Sequence, residues 1–380
     1  MSDEKVVQCS KTVMDSMADP NITFDENGVC NYYYEYFEKE RKHVKKGAEG
    51  EAFFNAKIAQ IKAAGKNKEY DCILGLSGGV DSSYLAYIAK REGLRPLVVH
   101  FDNGWNSKLA VKNIENIVSV LGFDLFTYVI NWEEFKDLQL AYLKASVIDI
   151  EVLTDHAIAA TLYQLAAQHK INHFLSGYNI VTEAILPKAW VYNKLDSVNI
   201  KAIHKKYGKV PLKSFPFLTP AKKRYYSLAL KIESVPLLNY IDYNKDQVKE
   251  ILKKELHWVD YGGKHYESVW TRFYQGYILP EKFKVDKRKA HLSTLICSGQ
   301  IMKEQALEEL KLPIYDPEQL SIDKEFVLKK LNLSEKDFDA LMHLPPVEHT
   351  QFETEVFSYF DKYPVFKPLR GLYAALKPKK

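Results

Sequence analysis

The stretch DCILGLSGGVDSS, residues 71–83, decides the fold of this chain. Its apolar first half is typical of a buried strand, and the pattern from Ser82 to Arg91 is typical of a helix. The two glycines between them allow a sharp turn with bare backbone N–H groups, and the helix N-terminus behind the turn carries partial positive charge. This order predicts a phosphate pocket. The turn residues are Ser77, Gly78, Gly79, Val80, Asp81, Ser82 and Ser83.

Asp81 is the acidic residue of the turn. A carboxylate repels a polyphosphate unless it binds a divalent cation or caps the helix, so Asp81 indicates Mg²⁺. The turn lacks the lysine of a Walker A loop and the third glycine of a dinucleotide fingerprint. A glycine turn with a Ser or Asp helix cap is the structural alternative. The seven turn residues together resemble the SGGxDS signature of the PP-loop ATP pyrophosphatases, which split ATP into AMP and pyrophosphate.

Outward from this turn, apolar runs alternate with helical patterns. We expect strands over 71–76, 96–101, 125–130 and 173–176, and helices over 82–91, 107–121, 133–144 and 155–169. Continuous apolar strands between helices predict an α/β fold, with a parallel sheet flanked by helices on both faces. Ligands of such sheets bind at the carboxyl ends of the strands. The signature implies the same architecture, that of the PP-loop ATP pyrophosphatases and the adenine nucleotide alpha-hydrolase-like proteins.

The chain divides into three expected segments. Residues 1–67 are polar and form an N-terminal appendage that ends in a helix over 51–64. Residues 68–300 form the ATP pyrophosphatase domain with substrate-binding insertions. Residues 301–380 form a helical C-terminal region, in which Ser334 begins a helix with a pattern similar to a capping box.

Composition is that of an ordinary soluble enzyme. The 380 residues are 46% hydrophobic and carry a formal net charge of +4, with basic and acidic residues intermixed, so no stripe for nucleic acid is evident. The chain has neither a signal-peptide pattern nor a run of about 18 apolar residues, so we expect a cytoplasmic protein without membrane insertion. We expect its four cysteines to be reduced, with Cys72 in the core and Cys297 preferred there.

Polar residues follow the second expected strand. Asp102 is a candidate to bind a ribose hydroxyl or Mg²⁺, and we predict that the strand end around His100 reads the adenine edge. An Asx turn that caps the next helix is an equal alternative for Asp102.

The fourth expected strand is followed by Gly177, Asn179, Thr182 and Glu183. This order resembles the second nucleotide loop of NAD synthetases, relatives of the PP-loop enzymes in which the glutamate is a metal ligand. The resemblance implies nucleotide contacts from Gly177 and Asn179 and makes Glu183 a second Mg²⁺ ligand beside Asp81. Two carboxylates are enough for Mg²⁺ when phosphates and water complete the octahedron.

Charged segments beyond the sheet carry further candidates. YGGKHYES at 261–268 contains Lys264 and His265 and is followed by Arg272, and DKRKAHLS at 286–293 contains His291. The cations would steady charge on a transferring phosphoryl group, and the histidines would move protons. A solvated charged surface is the alternative for both segments. His156 is interpreted as a packed or surface histidine near the start of a helix.

Five stretches together resemble the N-acetyl sugar amidotransferase family. They are CSK at 9–11, NITFDENGVC at 21–30, the phosphate turn at 77–83, HFDNGWNS at 100–107 and HLSTLICSGQ at 291–300. The likeness extends to about residue 310. The family includes enzymes of bacterial surface-polysaccharide and flagellar-glycan pathways, lipopolysaccharide O-antigen among them, that turn an acetamido group of a sugar into an acetamidino group.

The resemblance implies a ligase that uses ATP and Mg²⁺. The amide oxygen would attack the α-phosphorus, pyrophosphate would leave, and ammonia would displace AMP from the O-adenylyl imidate. The expected substrate is a UDP-linked diacetamido uronic acid or a nonulosonic acid. None of the four cysteines has the surroundings of a glutaminase nucleophile. We therefore expect a separate glutaminase partner, with a synthase-like subunit as a candidate ammonia channel.

The N-terminus departs from the family pattern. Members usually open with two Cys-x-x-Cys pairs, whereas Thr12 and Tyr33 replace the second cysteine of each pair here. Structural zinc takes four N or S ligands, and Cys9 with Cys30 supplies two, so no zinc is expected. We expect this segment to be held by Tyr32, Tyr34 and Phe37 or to be partly mobile.

Two other functions stay open. An enzyme that thiolates or amidates an RNA base would need a persulfide-bearing cysteine or a basic RNA platform, and neither is evident. A non-catalytic nucleotide-binding subunit is the second, although the retained Ser77, Asp81, Asn179 and Glu183 argue against it.

Overall fold

A computed structural model describes residues 6–262 and 266–355 of the chain. The strands of this part are β1 (Cys72–Gly75), β2 (Pro96–Asp102), β3 (Asp124–Val129), β4 (His173–Leu175) and β5 (Glu233–Val235). The α-helices are α1 (Asn31–His43), α2 (Gly47–Gly65), α3 (Val80–Arg91), α4 (Lys108–Leu121), α5 (Trp132–Ala145), α6 (Val152–Gln168), α7 (Ile180–Glu183), α8 (Ser197–Tyr207), α9 (Pro220–Arg224), α10 (Lys245–Leu256), α11 (Val269–Phe273), α12 (Leu279–Phe283), α13 (Lys287–Cys297), α14 (Lys303–Lys311), α15 (Pro317–Leu331) and α16 (Glu335–His343). Short 3-10 segments cover Lys188–Trp190, Leu237–Tyr240 and His349–Gln351, and π-helical turns cover Tyr225–Ala229 and Tyr274–Ile278.

The strands form one parallel sheet in the order β3-β2-β1-β4-β5. In β1, Cys72 is aligned with Pro96 of β2, and Ile73 is aligned with both Leu97 of β2 and Phe174 of β4. The strand order therefore runs in opposite directions from β1. In sheets of this kind the loops after the two central strands separate at that point and leave a crevice for ligands. The loops after β1 and β4 occupy this position.

The burial of the strand residues follows the position of each strand in the sheet. Ile73 and Leu74 of β1 and Val98 of β2 are fully buried, as expected for strands covered by helices on both faces. At the β3 edge, Leu125, Phe126 and Val129 are exposed. The fold class predicted from the sequence is thus confirmed.

The four expected strands and the helices between them are confirmed within three residues at their ends. The helix after β1 begins at Val80 instead of Ser82, which places Asp81 in its first turn and makes Gly79 its N-cap. The sequence analysis missed β5 and α1. Glu233-Ser234-Val235 is too short and polar for an apolar run, and α1 is dominated by tyrosine and charge.

One hydrophobic cluster joins all three expected segments of the chain. It contains Tyr36 of the N-terminal segment, Trp190 of the central segment and Phe338 of the C-terminal segment. Ser334 forms the expected capping box with Asp337, whose backbone N–H donates to the Ser334 hydroxyl at 3.1 Å.

The N-terminal segment packs by some of the expected residues. Tyr32 is buried and Phe37 packs against the main cluster. The expectation for Tyr34 was wrong, because its ring is 49% exposed and its hydroxyl donates to Asp25 Oδ2 at 2.6 Å. The helical position of Tyr34 faces away from the cluster that holds Tyr32 and Tyr36.

The positions of the cysteines are relevant to the N-terminal segment, in which Thr12 and Tyr33 replace the second cysteine of each Cys-x-x-Cys pair. Cys72 is fully buried, as expected, and Cys297 is half-buried. Cys9 and Cys30 are buried neighbours, with the Cys30 N–H donating to Cys9 Sγ at 3.2 Å, and the Thr12 hydroxyl lies 3.8 Å from Cys30 Sγ. Over residues 6–262 and 266–355, no three His, Cys, Asp or Glu side chains are grouped as a metal site.

None of the helices in the described ranges is both long enough and apolar enough to cross a membrane.

Candidate active site

The phosphate turn is held by its own serines. The Ser77 backbone N–H donates to Ser82 Oγ at 3.3 Å, and the Ser83 hydroxyl donates to the Gly79 carbonyl at 2.6 Å. The Gly79 N–H donates to Ser77 Oγ at 3.3 Å. Among the described residues no side chain caps α3 at Gly79, so the N-terminal end of this helix suits an anion.

Two aromatic donors fix Gly78 from outside the turn. Trp258 Nε1 donates to the Gly78 carbonyl at 2.8 Å, and the Tyr261 hydroxyl donates to the same oxygen at 2.6 Å. Gly78 has a φ of +83°, and a Cβ atom there would lie 2.8 Å from the Tyr261 hydroxyl and 2.9 Å from the Ala110 carbonyl. Glycine is therefore required by both conformation and space.

Asp81 is oriented by two hydrogen-bond donors. Its Oδ1 atom accepts from Asn179 Nδ2 at 3.1 Å and from the Tyr243 hydroxyl at 2.5 Å. The alternative that Asp81 caps the helix is wrong, because its place in the first turn follows the Gly79 N-cap. Burial, with the carboxylates of Asp81 and Glu183, raises the pKa of Tyr243, so this hydroxyl stays a donor. Both predicted Mg²⁺ ligands, Asp81 and Glu183, therefore raise the pKa of the Tyr243 hydroxyl.

The loop after β4 packs directly against the phosphate turn. A Cβ atom on Gly177 would lie 3.4 Å from the Ser82 backbone nitrogen, an ordinary contact distance, so the two loops touch at this point. Asn179 is fully buried and caps α7, where its Oδ1 accepts from the Thr182 N–H at 2.9 Å. Because its amide nitrogen donates to Asp81, Asn179 connects the loop after β4 to the phosphate turn after β1.

The loop after β2 is the third part of the candidate site, with the loops after β1 and β4. His100 is buried, its Nδ1 lies 3.2 Å from the Leu76 carbonyl, and its Nε2 lies 3.1 Å from Asn106 Nδ2. Desolvation lowers the pKa of His100, so the neutral ring donates to Leu76 and accepts from Asn106. Asp102 forms an Asx turn with the Gly104 N–H at 2.8 Å, while Ser107 caps α4. The Asx turn proposed as the alternative for Asp102 is present, although it does not cap the helix.

His156 is a packed residue, as interpreted from the sequence. It is fully buried, with Nδ1 2.9 Å from the Lys194 carbonyl and Nε2 accepting from the Leu218 N–H at 3.0 Å. Desolvation lowers its pKa to about 4. Its two ring nitrogens are satisfied by backbone, so the ring joins three chain segments.

The segment that begins at Glu267 lies along one side of the candidate site. The Glu267 carbonyl accepts from the Ser107 N–H at 2.8 Å, and Ser268 forms an isolated β-bridge with Asn106. A Cβ atom on Gly79 would lie 3.7 Å from Glu267 Oε1. Residues at the start of this segment therefore lie against both the phosphate turn and the β2 loop.

The same segment begins a recognisable family domain. Residues 267–365 match the family model described as LPS biosynthesis protein WbpG-like, C-terminal domain. We call residues 267–365 the WbpG-like region. Glu267, its first matched residue, is the residue that lies beside Gly79.

One curated protein is similar over a short stretch. A tRNA(Ile)-lysidine synthase from Chlamydia pneumoniae is 37% identical over 70 residues, which are 18% of this chain and 22% of that protein. The match therefore spans about a fifth of the length of the curated relative.

Solved structures are similar at low identity. An NH3-dependent NAD synthetase from Campylobacter jejuni subsp. jejuni NCTC 11168, in complex with the nitrate ion, is 16% identical with a TM-score of 0.31, over 74% of this chain and 94% of that chain. An NMN synthetase from Francisella tularensis is 14% identical with a TM-score of 0.30, over 76% and 98%. At these identities and TM-scores the similarity supports no statement about function.

Arg272 of the WbpG-like region is engaged in an ion pair. Its Nε lies 2.6 Å from Asp323 Oδ2 and its Nη2 lies 2.9 Å from Asp323 Oδ1, and its guanidinium lies 5.1 Å from the centroid of the Tyr266 ring. This bidentate contact joins α11 to α15. The predicted role on a transferring phosphoryl group stays untested, and the ion pair gives the side chain a structural role.

The other candidates from the charged segments differ in position. His291 of α13 has its Nδ1 3.2 Å from the Thr182 carbonyl, beside the predicted Mg²⁺ ligand Glu183. Lys264 and His265 lie outside the described residues.

Lys330 of the WbpG-like region contacts the β2 loop, and the sequence analysis did not predict this contact. Its Nζ donates to the Gly104 carbonyl and lies 4.7 Å from the Trp105 ring centroid and 4.6 Å from the Trp132 ring centroid. Desolvation lowers its pKa, while the Asp102 carboxylate acts in the opposite sense. Trp258 and Tyr243 were missed as well. None of Lys330, Trp258 and Tyr243 lies in a recognisable motif. The one signal in the sequence was the pair of tryptophans, Trp105 and Trp132, that Lys330 contacts.

Proposed function

We propose that this chain is an ATP-dependent amidotransferase that converts an N-acetyl group of a sugar into an acetamidino group, with release of AMP and pyrophosphate. The proposal places ATP in the crevice between the loops after β1 and β4. It assigns the sugar to the neighbouring space that the WbpG-like region borders.

A single observation carries the proposal. The WbpG-like region begins at Glu267, and this residue contacts the β2 loop and lies beside Gly79 of the phosphate turn. A region named for lipopolysaccharide biosynthesis thus adjoins the turn that we predict to bind phosphate. This contact supports a reaction in which a nucleotide activates a sugar.

The phosphate turn is suited to the pyrophosphate that would leave. Backbone N–H groups at the start of α3 and the hydroxyls of Ser77 and Ser82 supply donors for phosphate oxygens. The serine contacts fix the turn before ATP binds, so little reorganisation is needed during the reaction.

The side chains near Asp81 fit Mg²⁺. Asp81 and Glu183 supply hard carboxylate oxygens, and Asn179 with Tyr243 orients the first of them by hydrogen bonds. When bound there, Mg²⁺ would neutralise charge on the phosphates of ATP. The protein's own residues would position the sugar amide oxygen in line with the α-phosphorus.

The second half of the reaction requires ammonia. After the amide oxygen bonds to the α-phosphorus and pyrophosphate leaves, the imidate carbon carries a good leaving group, AMP. Ammonia then bonds to that carbon and the C–O bond to AMP breaks, which leaves the amidine. We assign the supply of ammonia to a separate glutaminase, directly or through a synthase-like channel subunit, because none of the four cysteines resembles a glutaminase nucleophile.

The test measures AMP and pyrophosphate release from Mg-ATP by the purified chain with ammonium chloride. UDP-linked diacetamido uronic acids and CMP-linked or free nonulosonic acids are supplied in turn. We expect sugar-dependent AMP and a product about one mass unit lighter, since NH replaces O. Asp81→Asn should lose this activity, whereas Asp339→Asn, a change of an exposed carboxylate on α16, should retain it.

A second candidate is supported by the short match to a tRNA(Ile)-lysidine synthase. In that case the adenylylated group would be a base of RNA. An additional reaction with unmodified tRNA in place of sugar separates the two. AMP release that depends on tRNA and not on any sugar would contradict the amidotransferase proposal.

A further inference from the structure

Residues 197–231, which run from α8 toward β5, are basic without any acidic residue among them. They contain eight lysines and one arginine but no aspartate or glutamate. The formal net charge of the whole chain is only +4, so the rest of the chain is net negative. Every cation of this segment except Lys223 is exposed. The mixing of basic and acidic residues that holds for the chain as a whole therefore fails here.

The last part of this segment, residues 220–231, is amphipathic. It consists of α9, the π-helical turn that follows it and two further residues. On its inner side, the Tyr226 ring stacks on Tyr163 of α6 with 5.8 Å between the ring centroids, and Leu230 packs against the same apolar cluster. Its other side is exposed, and we call it the basic outer face. This face consists of Lys222, Arg224, Tyr225, Leu228 and Lys231.

The basic outer face combines cations that have no acidic partners with exposed apolar side chains. Among the described residues, none of Lys222, Arg224 and Lys231 forms an ion pair. Tyr225 is 56% exposed, and Leu228 is 76% exposed, the highest value of any large apolar residue in the described ranges. This combination fits a partner that is both anionic and apolar.

We propose that the basic outer face binds the surface of an anionic lipid bilayer. The lipid phosphates attract the three cations, and Leu228 enters the boundary between the headgroups and the acyl chains together with the Tyr225 ring. Tyrosine suits this boundary because its ring is apolar while its hydroxyl stays in contact with headgroups and water. This binding is peripheral, and it is independent of the reaction proposed above.

The composition of the segment favours a bilayer over two other anionic partners. Protein interfaces are depleted in lysine and enriched in arginine, whereas residues 197–231 contain eight lysines and one arginine. RNA phosphates would attract the same cations, but they offer Leu228 no apolar environment. A bilayer accommodates both features, because the lysines act as point charges that need no fixed partner geometry and the leucine reaches the acyl chains.

The test is sedimentation of the full chain with vesicles of equal parts phosphatidylglycerol and phosphatidylcholine, compared with vesicles of phosphatidylcholine alone. We expect binding to the anionic vesicles that weakens as salt is raised, and much weaker binding to the neutral vesicles. The triple variant Lys222→Gln, Arg224→Gln and Lys231→Gln should bind anionic vesicles about 100-fold more weakly, since each cation near the surface contributes about fivefold.

Matched variants keep the result specific to this face. Lys112→Gln with Lys254→Gln and Lys311→Gln removes the same charge from exposed lysines of α4, α10 and α14, and this variant should bind within about threefold of wild type. Leu228→Ser should weaken binding about tenfold without changing its salt dependence. Leu312→Ser, at a leucine that is 62% exposed, should have no effect. Circular dichroism checks the fold of each variant.

Three results would overturn the inference. The first is that the wild-type chain fails to bind anionic vesicles or binds both kinds of vesicle equally. The second is an equal loss in the two triple variants, since net charge alone would then explain the binding. The third is binding of unmodified tRNA, lost in the Lys222, Arg224 and Lys231 variant, by a chain that does not bind vesicles, which would assign the face to RNA. These measurements require neither ATP nor sugar, so none of the three results bears on the proposed amidotransferase.

Discussion

The Tyr243 hydroxyl donates to Asp81 Oδ1 at 2.5 Å. Asn179 Nδ2 donates to the same oxygen at 3.1 Å, so the carboxylate of the phosphate turn is oriented from two sides. Tyr243 is buried, and its raised pKa keeps it protonated at ordinary pH. A fixed donor of this kind sets which oxygen of Asp81 faces the crevice. Tyr243 is therefore a positioning residue for the proposed Mg²⁺ site.

Tyr243→Phe should weaken the apparent affinity for Mg²⁺. Loss of a hydrogen bond to a metal ligand typically costs about 10- to 100-fold in affinity or activity. We expect such a rise in the Mg²⁺ concentration needed for half-maximal pyrophosphate exchange. Tyr240→Phe is the matched control, since Tyr240 is half-buried and lies against Phe53 at 6.0 Å between ring centroids. An unchanged Mg²⁺ dependence in Tyr243→Phe would contradict the positioning role.

Gly78→Ala should abolish nucleotide use. The left-handed backbone costs a non-glycine residue about 1–2 kcal/mol, and the added Cβ would lie too close to the Ala110 carbonyl and the Tyr261 hydroxyl. The turn must shift, so we expect pyrophosphate exchange to fall by at least about 100-fold, the effect of a misplacement near 1 Å.

Gly122→Ala supplies the control for backbone strain. Gly122 has a φ of +64° at the end of α4, and no atom lies within 4 Å of a Cβ placed there. This variant should lose about 1–2 kcal/mol in the free energy of unfolding measured in urea and keep its exchange activity. Equal activities of the two variants would show that space around Gly78 is unimportant.

The sheet was predictable because its signals are local. The apolar runs at β1 and β2 and the glycine turn between β1 and α3 specify a buried parallel strand and its following helix without reference to distant residues. The strand order and β5 were not predictable in this way. Three residues, Glu233–Val235, become a strand only because the edge of β4 offers hydrogen bonds to them.

The site was predictable only in its loops. Asp81, Asn179 and Gly177 occur in short motifs whose spacing follows from strand ends, and the structure brings them together. Trp258 and Lys330 reach the site from segments about 180 and 226 residues away from their partners Gly78 and Gly104. Their roles depend on tertiary packing, which single-sequence periodicity does not contain.

Arg272 and Asp323 should stabilise the protein as a pair. Asp323 is 3% exposed, and removal of one member of a buried ion pair leaves the other charge uncompensated, at about 3–5 kcal/mol. We expect Arg272→Met to lower the free energy of unfolding by this amount and Arg272→Met with Asp323→Leu to recover much of it.

The double variant also tests whether Arg272 acts in catalysis. With stability recovered, the double variant should retain sugar-dependent pyrophosphate exchange if the guanidinium is structural, which is the outcome we expect from its contact with Asp323. A folded double variant that has lost exchange would instead support the role on the transferring phosphoryl group.

Two buried histidines should make the protein less stable in acid. Desolvation lowers the pKa of His156 and of His349 from 6.5 to about 4. Between these values the unfolded chain binds protons that the folded chain does not, so the free energy of unfolding falls as pH decreases from 6.5 to 4, by up to about 3 kcal/mol for each ring. Above pH 6.5 both states are neutral and these rings add no pH dependence.

Urea unfolding at pH 7, 6, 5 and 4 measures the effect. His156→Gln and His349→Gln should each be less stable than wild type at pH 7, and the difference should narrow toward pH 4, about twice as much in the double variant. A difference that stays constant from pH 7 to pH 4 would show that these rings become protonated in the folded protein as readily as in the unfolded chain.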